Sequence, residues 1–220
     1  MTKHLFLFGG GPPFTPKLAK RFADLTLLNK GKVSILLLER DNWQGYMPRY
    51  TNILTSLGVK EFQYIPLPTL KEEEAVLLLE RSSGVIIGGG NTNLYADLIV
   101  DSKISNAIIQ LFNRGIPVVG FSAGALISMD PCIISAKDNN EKLCQTRNGL
   151  GLVKNTVISV HFSEWQDQKH LLQAVKKFTP YQNFGINEQT GMYFYQDYLV
   201  EIEGNGVYSV KENEIFKVLG

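Results

Sequence analysis

Pro117-Val118-Val119-Gly120-Phe121-Ser122-Ala123-Gly124-Ala125 runs from an apolar stretch directly into a helix-compatible one, with a serine at the junction and a glycine two positions to either side. A strand that turns sharply into a helix holds such a serine in a strained conformation, and the neighbours at plus and minus two must then lack side chains because the backbones approach so closely. Gly120 and Gly124 meet that need. The string predicts a nucleophile elbow, with the Ser122 hydroxyl presented at a strand's carboxyl end. The same turn leaves the amide of Ala123 free at a helix N-terminus, where an oxyanion would form on an attacked carbonyl.

Outward from the elbow, short apolar runs recur with glycines at their ends: His4 to Phe8, Val33 to Leu38, Phe62 to Ile65, Val85 to Ile87 and Pro117 to Phe121. Continuous runs of this length suit strands buried on both faces. Between them lie stretches with helical spacing: Phe14 to Leu28, Tyr46 to Leu57, Leu70 to Arg81, Leu94 to Asn113 and, later, Trp165 to Phe178. Alternation of this kind predicts an α/β fold, a doubly wound, mostly parallel sheet with helices on both faces, whose strand ends line one edge where ligand chemistry sits. Past Phe178 the pattern shortens to strand-like runs at Met192 to Tyr195, Tyr198 to Ile202, Val207 to Val210 and Ile215 to Val218. Gly204-Asn205-Gly206 and Glu212-Asn213 between them signal tight hairpins. These runs read as an antiparallel C-terminal extension of the sheet edge. Residues 1–220 read as one catalytic domain, and Cys132 to Gly149 as a polar loop.

The bulk composition narrows the function classes. With 22 Lys and Arg against 21 Asp and Glu, the net charge of +1 offers no footprint for nucleic acid or an anionic membrane surface. The apolar run at the N-terminus is too short for a signal peptide or a membrane span. Two cysteines, Cys132 and Cys144, without metal-ligand spacing, suit free thiols in a reducing cytoplasm.

A second glycine cluster, Gly88-Gly89-Gly90-Asn91-Thr92, follows the Val85–Ile87 run and ends at the same edge as Ser122. Glycines let backbone amides reach a ligand, so the Gly90 amide is the natural second oxyanion donor. Neither this cluster nor Gly9-Gly10-Gly11 carries the spacing of a phosphate-binding loop. A serine nucleophile needs a base, and only His4, His161 and His170 are available. His4 opens the first strand, at the wrong end, and His170 falls within a helical pattern, where packing is its ordinary role. His161 ends the strand-like Val157-Ile158-Ser159-Val160 and should emerge beside Ser122. For the carboxylate that orients the base, Glu188 after Phe184-Gly185-Ile186-Asn187 is the first choice, with Glu164 and Asp167 as rivals.

The ordered set Gly88-Gly89-Gly90-Asn91-Thr92, Gly120-Phe121-Ser122-Ala123-Gly124-Ala125, His161-Phe162-Ser163-Glu164 and Gly185-Ile186-Asn187-Glu188 resembles the dipeptidase E and cyanophycinase family of serine peptidases, from residue 4 to about 200. The resemblance implies a fold like that of class I glutamine amidotransferases, a Ser122-His161-Glu188 triad and an oxyanion hole from the amides of Gly90 and Ala123. Cyanophycinases carry an aspartate two residues before the histidine and arginines after it, where this chain has Ser159, Trp165, Asp167 and His170. Dipeptidase E members use an arginine in the helix after the histidine, a neighbourhood that here offers Gln166, Lys169, Lys176 and Lys177.

The expectation is hydrolysis of short peptides or isopeptide-like amides through an acyl-enzyme on Ser122. The alternative is a non-catalytic protein on the same fold that binds a peptide or small ligand. Asn91, Thr92, Gln166 and Lys169 are the expected substrate contacts. No cofactor or metal is called for; a small peptide is the expected partner, and a homodimer remains open.

Overall fold

The computed structural model describes residues 2–218. Its strands are β1 (His4–Phe8), β2 (Lys32–Leu38), β3 (Phe62–Leu67), β4 (Ser82–Ile87), β5 (Val118–Phe121), β6 (Cys132–Ile134), β7 (Gln145–Arg147), β8 (Thr156–Ser159), β9 (Gln182–Ile186), β10 (Gly191–Tyr195), β11 (Tyr198–Glu203), β12 (Val207–Lys211) and β13 (Glu214–Val218). The helices are α1 (Pro16–Leu27), α2 (Trp43–Tyr46), α3 (Pro48–Ser56), α4 (Glu72–Leu79), α5 (Thr92–Tyr95), α6 (Lys103–Asn113), α7 (Ala123–Ile127) and α8 (Gln168–Phe178).

Seven strands form the main sheet in the order β11-β10-β1-β5-β4-β2-β3. β1, β5, β4, β2 and β3 run parallel, and β10 and β11 extend the sheet antiparallel beyond β1. Successive side chains of β1 show why the run from Leu5 to Phe8 is apolar throughout. Leu5 and Leu7 join the core shared with α4 to α7, whereas Phe6 and Phe8 join the core under α1 and α3. Helix α1 presents Leu18, Ala19, Phe22 and Ala23 to that second core. Phe22 stands edge-on to Phe6 with ring centroids 5.7 Å apart, and truncating a phenylalanine so enclosed costs about 3–5 kcal/mol.

In four places the architecture departs from the sequence reading. The C-terminal runs do not all extend one sheet: β8, β9, β12 and β13 form a second sheet, in the order β13-β12-β9-β8, so the Val157–Val160 run lies outside the main sheet. Gly204-Asn205-Gly206 is accordingly no hairpin but the crossing between the sheets, held by the Thr190 hydroxyl, which accepts from the amides of Asn205 (2.9 Å) and Gly206 (3.1 Å). Glu212-Asn213 does close a hairpin, with both residues at positive φ (54° and 67°), as a tight turn matched to strand twist requires.

The Cys132 to Gly149 segment is not all loop. Cys132, Ile133 and Ile134 are buried in β6, which pairs with β7. Finally, Leu94 to Asn113 is not one helix. After α5 the chain makes a wide turn, and α6 starts afresh at Lys103 with the Ser102 hydroxyl accepting from the Ile104 amide at 3.2 Å. Arg147 on β7 binds Asp97 and Asp101 at 2.6 and 2.8 Å and so ties this break to the β6–β7 ribbon.

Candidate active site

Ser122 caps α7 with φ 50° and ψ −109°, a conformation that side chains rarely adopt. Its amide donates to the carbonyl of Phe8 at 2.9 Å, and its carbonyl accepts from Ala125 and Leu126 at 2.9 and 3.0 Å. The strain is therefore held from both sides. Glycine at 120 and 124 is required by space: a Cβ on Gly120 would lie 2.5 Å from the Gly124 carbonyl, and one on Gly124 would meet the carbonyls of Ile87 and Gly88.

His161 follows β8 and also has positive φ, 48°. Its amide donates to the Gly9 carbonyl at 2.8 Å, so the second sheet is stitched to the end of β1 at the residue that carries the imidazole. The imidazole Nε2 lies 2.8 Å from Ser122 Oγ, and Nδ1 lies 2.6 Å from Glu188 Oε1. A carboxylate can only accept, so the proton sits on Nδ1, leaving Nε2 as the acceptor for the serine hydroxyl. Glu188 comes from the loop after β9, packed on the N-terminal glycines: a Cβ on Gly10 would lie 3.1 Å from Glu188 Cγ. Gly9-Gly10-Gly11 thus lets two sheet ends approach each other.

The rival groups are elsewhere. Asp167 accepts from the hydroxyls of Ser135 (2.9 Å) and Ser159 (3.3 Å), and Glu164 is exposed. His4 Nδ1 pairs with the Tyr193 hydroxyl at 2.7 Å at the far end of β1. His170 is buried in α8, its Nε2 without a hydrogen-bond partner among the described residues, and burial holds its imidazole below the ordinary histidine value, against the pull of Asp167.

Gly89 packs on the serine, since a Cβ there would lie 3.5 Å from Ser122 Cβ. The Gly124 amide donates to the Gly88 carbonyl at 3.2 Å and so fastens the glycine cluster to the elbow. The turn that carries Gly90 is thus held against the elbow through Gly88 and Gly89. Two buried tyrosines brace the cluster from behind: the Tyr50 hydroxyl accepts from the Gly89 amide (3.3 Å), and the Tyr95 hydroxyl reaches the Gly89 carbonyl (3.5 Å). Burial pushes both phenols well above the ordinary tyrosine value, so they remain neutral.

Of the four expected substrate contacts, Asn91 lines a cavity beside Gly90, although its side chain also caps α5 by accepting from the Leu94 amide at 3.1 Å. The Thr92 hydroxyl is committed to Asp138 at 2.6 Å. Gln166 and Lys169 are exposed and line no wall of that cavity.

Three features escaped sequence reasoning. The Trp165 ring stacks on His161, with centroids 4.3 Å apart and planes 19° from parallel. Its amide donates to the His161 carbonyl at 2.8 Å, and its own carbonyl accepts from the Lys137 ammonium. Second, half-buried Asp138, whose carboxyl burial pushes above the ordinary value, ties α5 to the β6–β7 segment through Thr92. Third, the cavity beside Gly90 takes Trp43, Tyr46 and Tyr50 from α2 and α3, and Leu37 to Arg40 from the end of β2 and the residues after it. The four-residue spacing of His161 and Trp165 was a usable signal; the other two join segments tens of residues apart.

Residues 36–219 match the model of peptidase family S51, and the chain belongs to that family. Among curated proteins it is similar to the cyanophycinase of Geminocystis herdmanii, 22% identical over 173 residues, covering 76% of this chain and 64% of that one. The cyanophycinase of Trichormus variabilis is 26% identical over 165 residues, covering 72% of this chain and 55% of that one. The chain thus spans between half and two thirds of the length of these relatives. In fold it is similar to a peptidase from an acI-B1 Actinobacterium, with a TM-score of 0.73 at 21% identity over 99% of this chain and 94% of that one. A putative peptidase E protein from Listeria monocytogenes gives a TM-score of 0.59 at 17% identity, over 96% of this chain and 100% of that one. Among the described residues no helix is long and apolar enough to cross a membrane.

Proposed function

We propose that this member of peptidase family S51 is a serine peptidase that hydrolyses an amide bond of a short peptide through an acyl-enzyme on Ser122. The observation that carries the reading is the continuous relay from Ser122 Oγ to His161 Nε2 at 2.8 Å and from His161 Nδ1 to Glu188 Oε1 at 2.6 Å.

Ser122 Oγ attacks the substrate carbonyl carbon while its proton passes to His161 Nε2. Negative charge gathers on the carbonyl oxygen, and the amides of Ala123 and Gly90 stabilise it. His161 then gives the proton to the departing amine, the C–N bond breaks, and the acyl group stays on Ser122. Water, deprotonated by His161, attacks the ester; the acid leaves and Ser122 recovers its proton. Glu188 holds the imidazole in the productive tautomer throughout and offsets the positive charge it acquires.

A fluorophosphonate, which forms a Ser122 Oγ–P bond with loss of fluoride, tests the nucleophile without a known substrate. Labelling at Ser122 in the wild type and none in Ser122→Ala is the expected result. Labelling at another residue, or an unchanged extent in Ser122→Ala, refutes the reading. A dipeptide and isopeptide screen then identifies the bond cleaved.

A further inference from the structure

Beside the glycine cluster lies a cleft of about 200 Å³, lined by Gly89 and Gly90 and by the rings of Trp43, Tyr46 and Tyr50. It is one residue away from the nucleophile: Gly89 is in its wall, and a Cβ added to Gly89 would lie 3.5 Å from Ser122 Cβ. We propose that this cleft is a substrate subsite that accepts a large aromatic or apolar side chain next to the scissile bond. The inference rests on Ser122 being the nucleophile and extends it to substrate class.

The chemistry of the walls supports this choice of ligand. Leu37, Leu38 and Met47 supply aliphatic surface. Trp43 is braced edge-on by Tyr64, with centroids 5.6 Å apart, and Tyr50 by Phe121 at 5.2 Å, so both rings are fixed before anything binds. Preformed aromatic walls take a flat apolar group with little ordering cost. The charged groups at the mouth are already engaged. Glu39 accepts from the Thr69 hydroxyl, and the Arg40 guanidinium lies over the Tyr46 ring, 4.8 Å from its centroid. A guanidinium so laid presents a planar surface on which an aromatic ring can stack. A cavity of this volume holds a phenyl or indole group, whereas a methyl side chain would leave it mostly unfilled.

Tyr50 connects the subsite to the chemistry. It forms part of the cleft wall and accepts from the Gly89 amide at 3.3 Å, so a side chain packed on its ring also bears on the loop that carries the Gly90 oxyanion donor.

Three fluorophosphonates carrying methyl, 2-phenylethyl and 2-carboxyethyl groups test the proposal on the intact chain, with the second-order rate of Ser122 labelling as readout. The phenylethyl reagent should react about tenfold or more faster than the methyl reagent, the scale expected for burying one aromatic group. Trp43→Ala and, separately, Tyr46→Ala should bring that ratio down to about threefold or less. Equal rates for the phenylethyl and methyl reagents, a carboxyethyl reagent that outpaces both, or a ratio that survives both substitutions would overturn the subsite. Failure of all three reagents to label Ser122 would instead overturn the nucleophile on which it rests.

Discussion

Replacing Glu188 by glutamine tests the orientation of the base more sharply than removing the serine, because it changes a charge and little else. The bond at stake is short, 2.6 Å, yet the carboxylate side chain is 47% exposed while the imidazole is 14% exposed. Hydrogen bonds to charged groups contribute about 1.5–3 kcal/mol when sheltered. Solvent screening at a half-exposed carboxylate favours the lower part of that range. With each 1.36 kcal/mol worth a factor of ten, Glu188→Gln should slow Ser122 labelling by about ten- to thirtyfold. That figure is for the charge alone, with the amide oxygen accepting from Nδ1; with the NH2 turned to the ring the proton moves to Nε2, and the loss rises to about a thousandfold or more. Glu188→Ala removes both charge and acceptor and should slow the reaction about a hundredfold or more. Stability should move little, since a hydrogen bond to a carboxylate this exposed is worth at most about 1 kcal/mol, or about 3 °C in a chain of this size. The assay is a time course of fluorophosphonate labelling beside a thermal melt. Wild-type rates in both variants would refute the role of Glu188; a slower rate accompanied by a melting point lowered by about 10 °C or more would make Glu188 structural instead.

Trp165→Ala exposes one face of the His161 ring and should slow labelling about two- to tenfold, the worth of one stacked aromatic pair, while Trp165→Phe retains most of the rate; equal rates for the alanine and phenylalanine variants would show that the stack contributes nothing. Gly124→Ala drives a Cβ into the Ile87 and Gly88 carbonyls, which as backbone cannot move aside. It should lower stability by about 3 kcal/mol and the melting temperature by about 6–12 °C, and an unshifted melt would contradict the packing described for the elbow. Burial holds His4 and His170 below the ordinary histidine value of 6.5, so the folded chain binds fewer protons than the unfolded one in acid. Their contribution is fully present above that value and is lost as the pH falls through it. His170→Leu should therefore lessen the loss of urea-denaturation stability between about pH 7 and pH 5, and an identical slope in both proteins would exclude His170 as a source of it.

The elements that sequence reading located best are those whose signal is local and repeated. β1, β2, β4 and β5 contain unbroken apolar runs (Leu5 to Phe8, Ile35 to Leu38, Val85 to Ile87, Val118 to Val119) because both faces of the main sheet are covered, and such runs are visible without knowledge of their neighbours. Boundaries failed where a distant partner decides them. Leu94 to Asn113 has continuous helical spacing, but Arg147 draws in Asp97 and Asp101 while Ser102 restarts the helix. Cys132 to Ile134 is too short to announce itself as a strand, and it pairs only because Gln145 to Arg147 returns beside it. Likewise, the assignment of β8, β9, β12 and β13 to a second sheet depends on long-range pairing that short, similar strands do not encode individually.

By itself, the sequence determined the elbow, since a serine between glycines at plus and minus two, after a buried strand and before a helix, is a steric statement that needs no distant residue. It also determined that the base had to come from three histidines. Only the tertiary structure decided which carboxylate meets the imidazole, because Glu188, Glu164 and Asp167 are chemically equal candidates until Gly9 and Gly10 let the end of β9 close against β1 and the Ser135 and Ser159 hydroxyls claim Asp167. It alone also set the cleft of Trp43, Tyr46 and Tyr50 beside Gly89 and Gly90. The physical reason is one of range: local sterics are written in adjacent residues, whereas the partners of a side chain follow from which strand ends the packed sheets bring together.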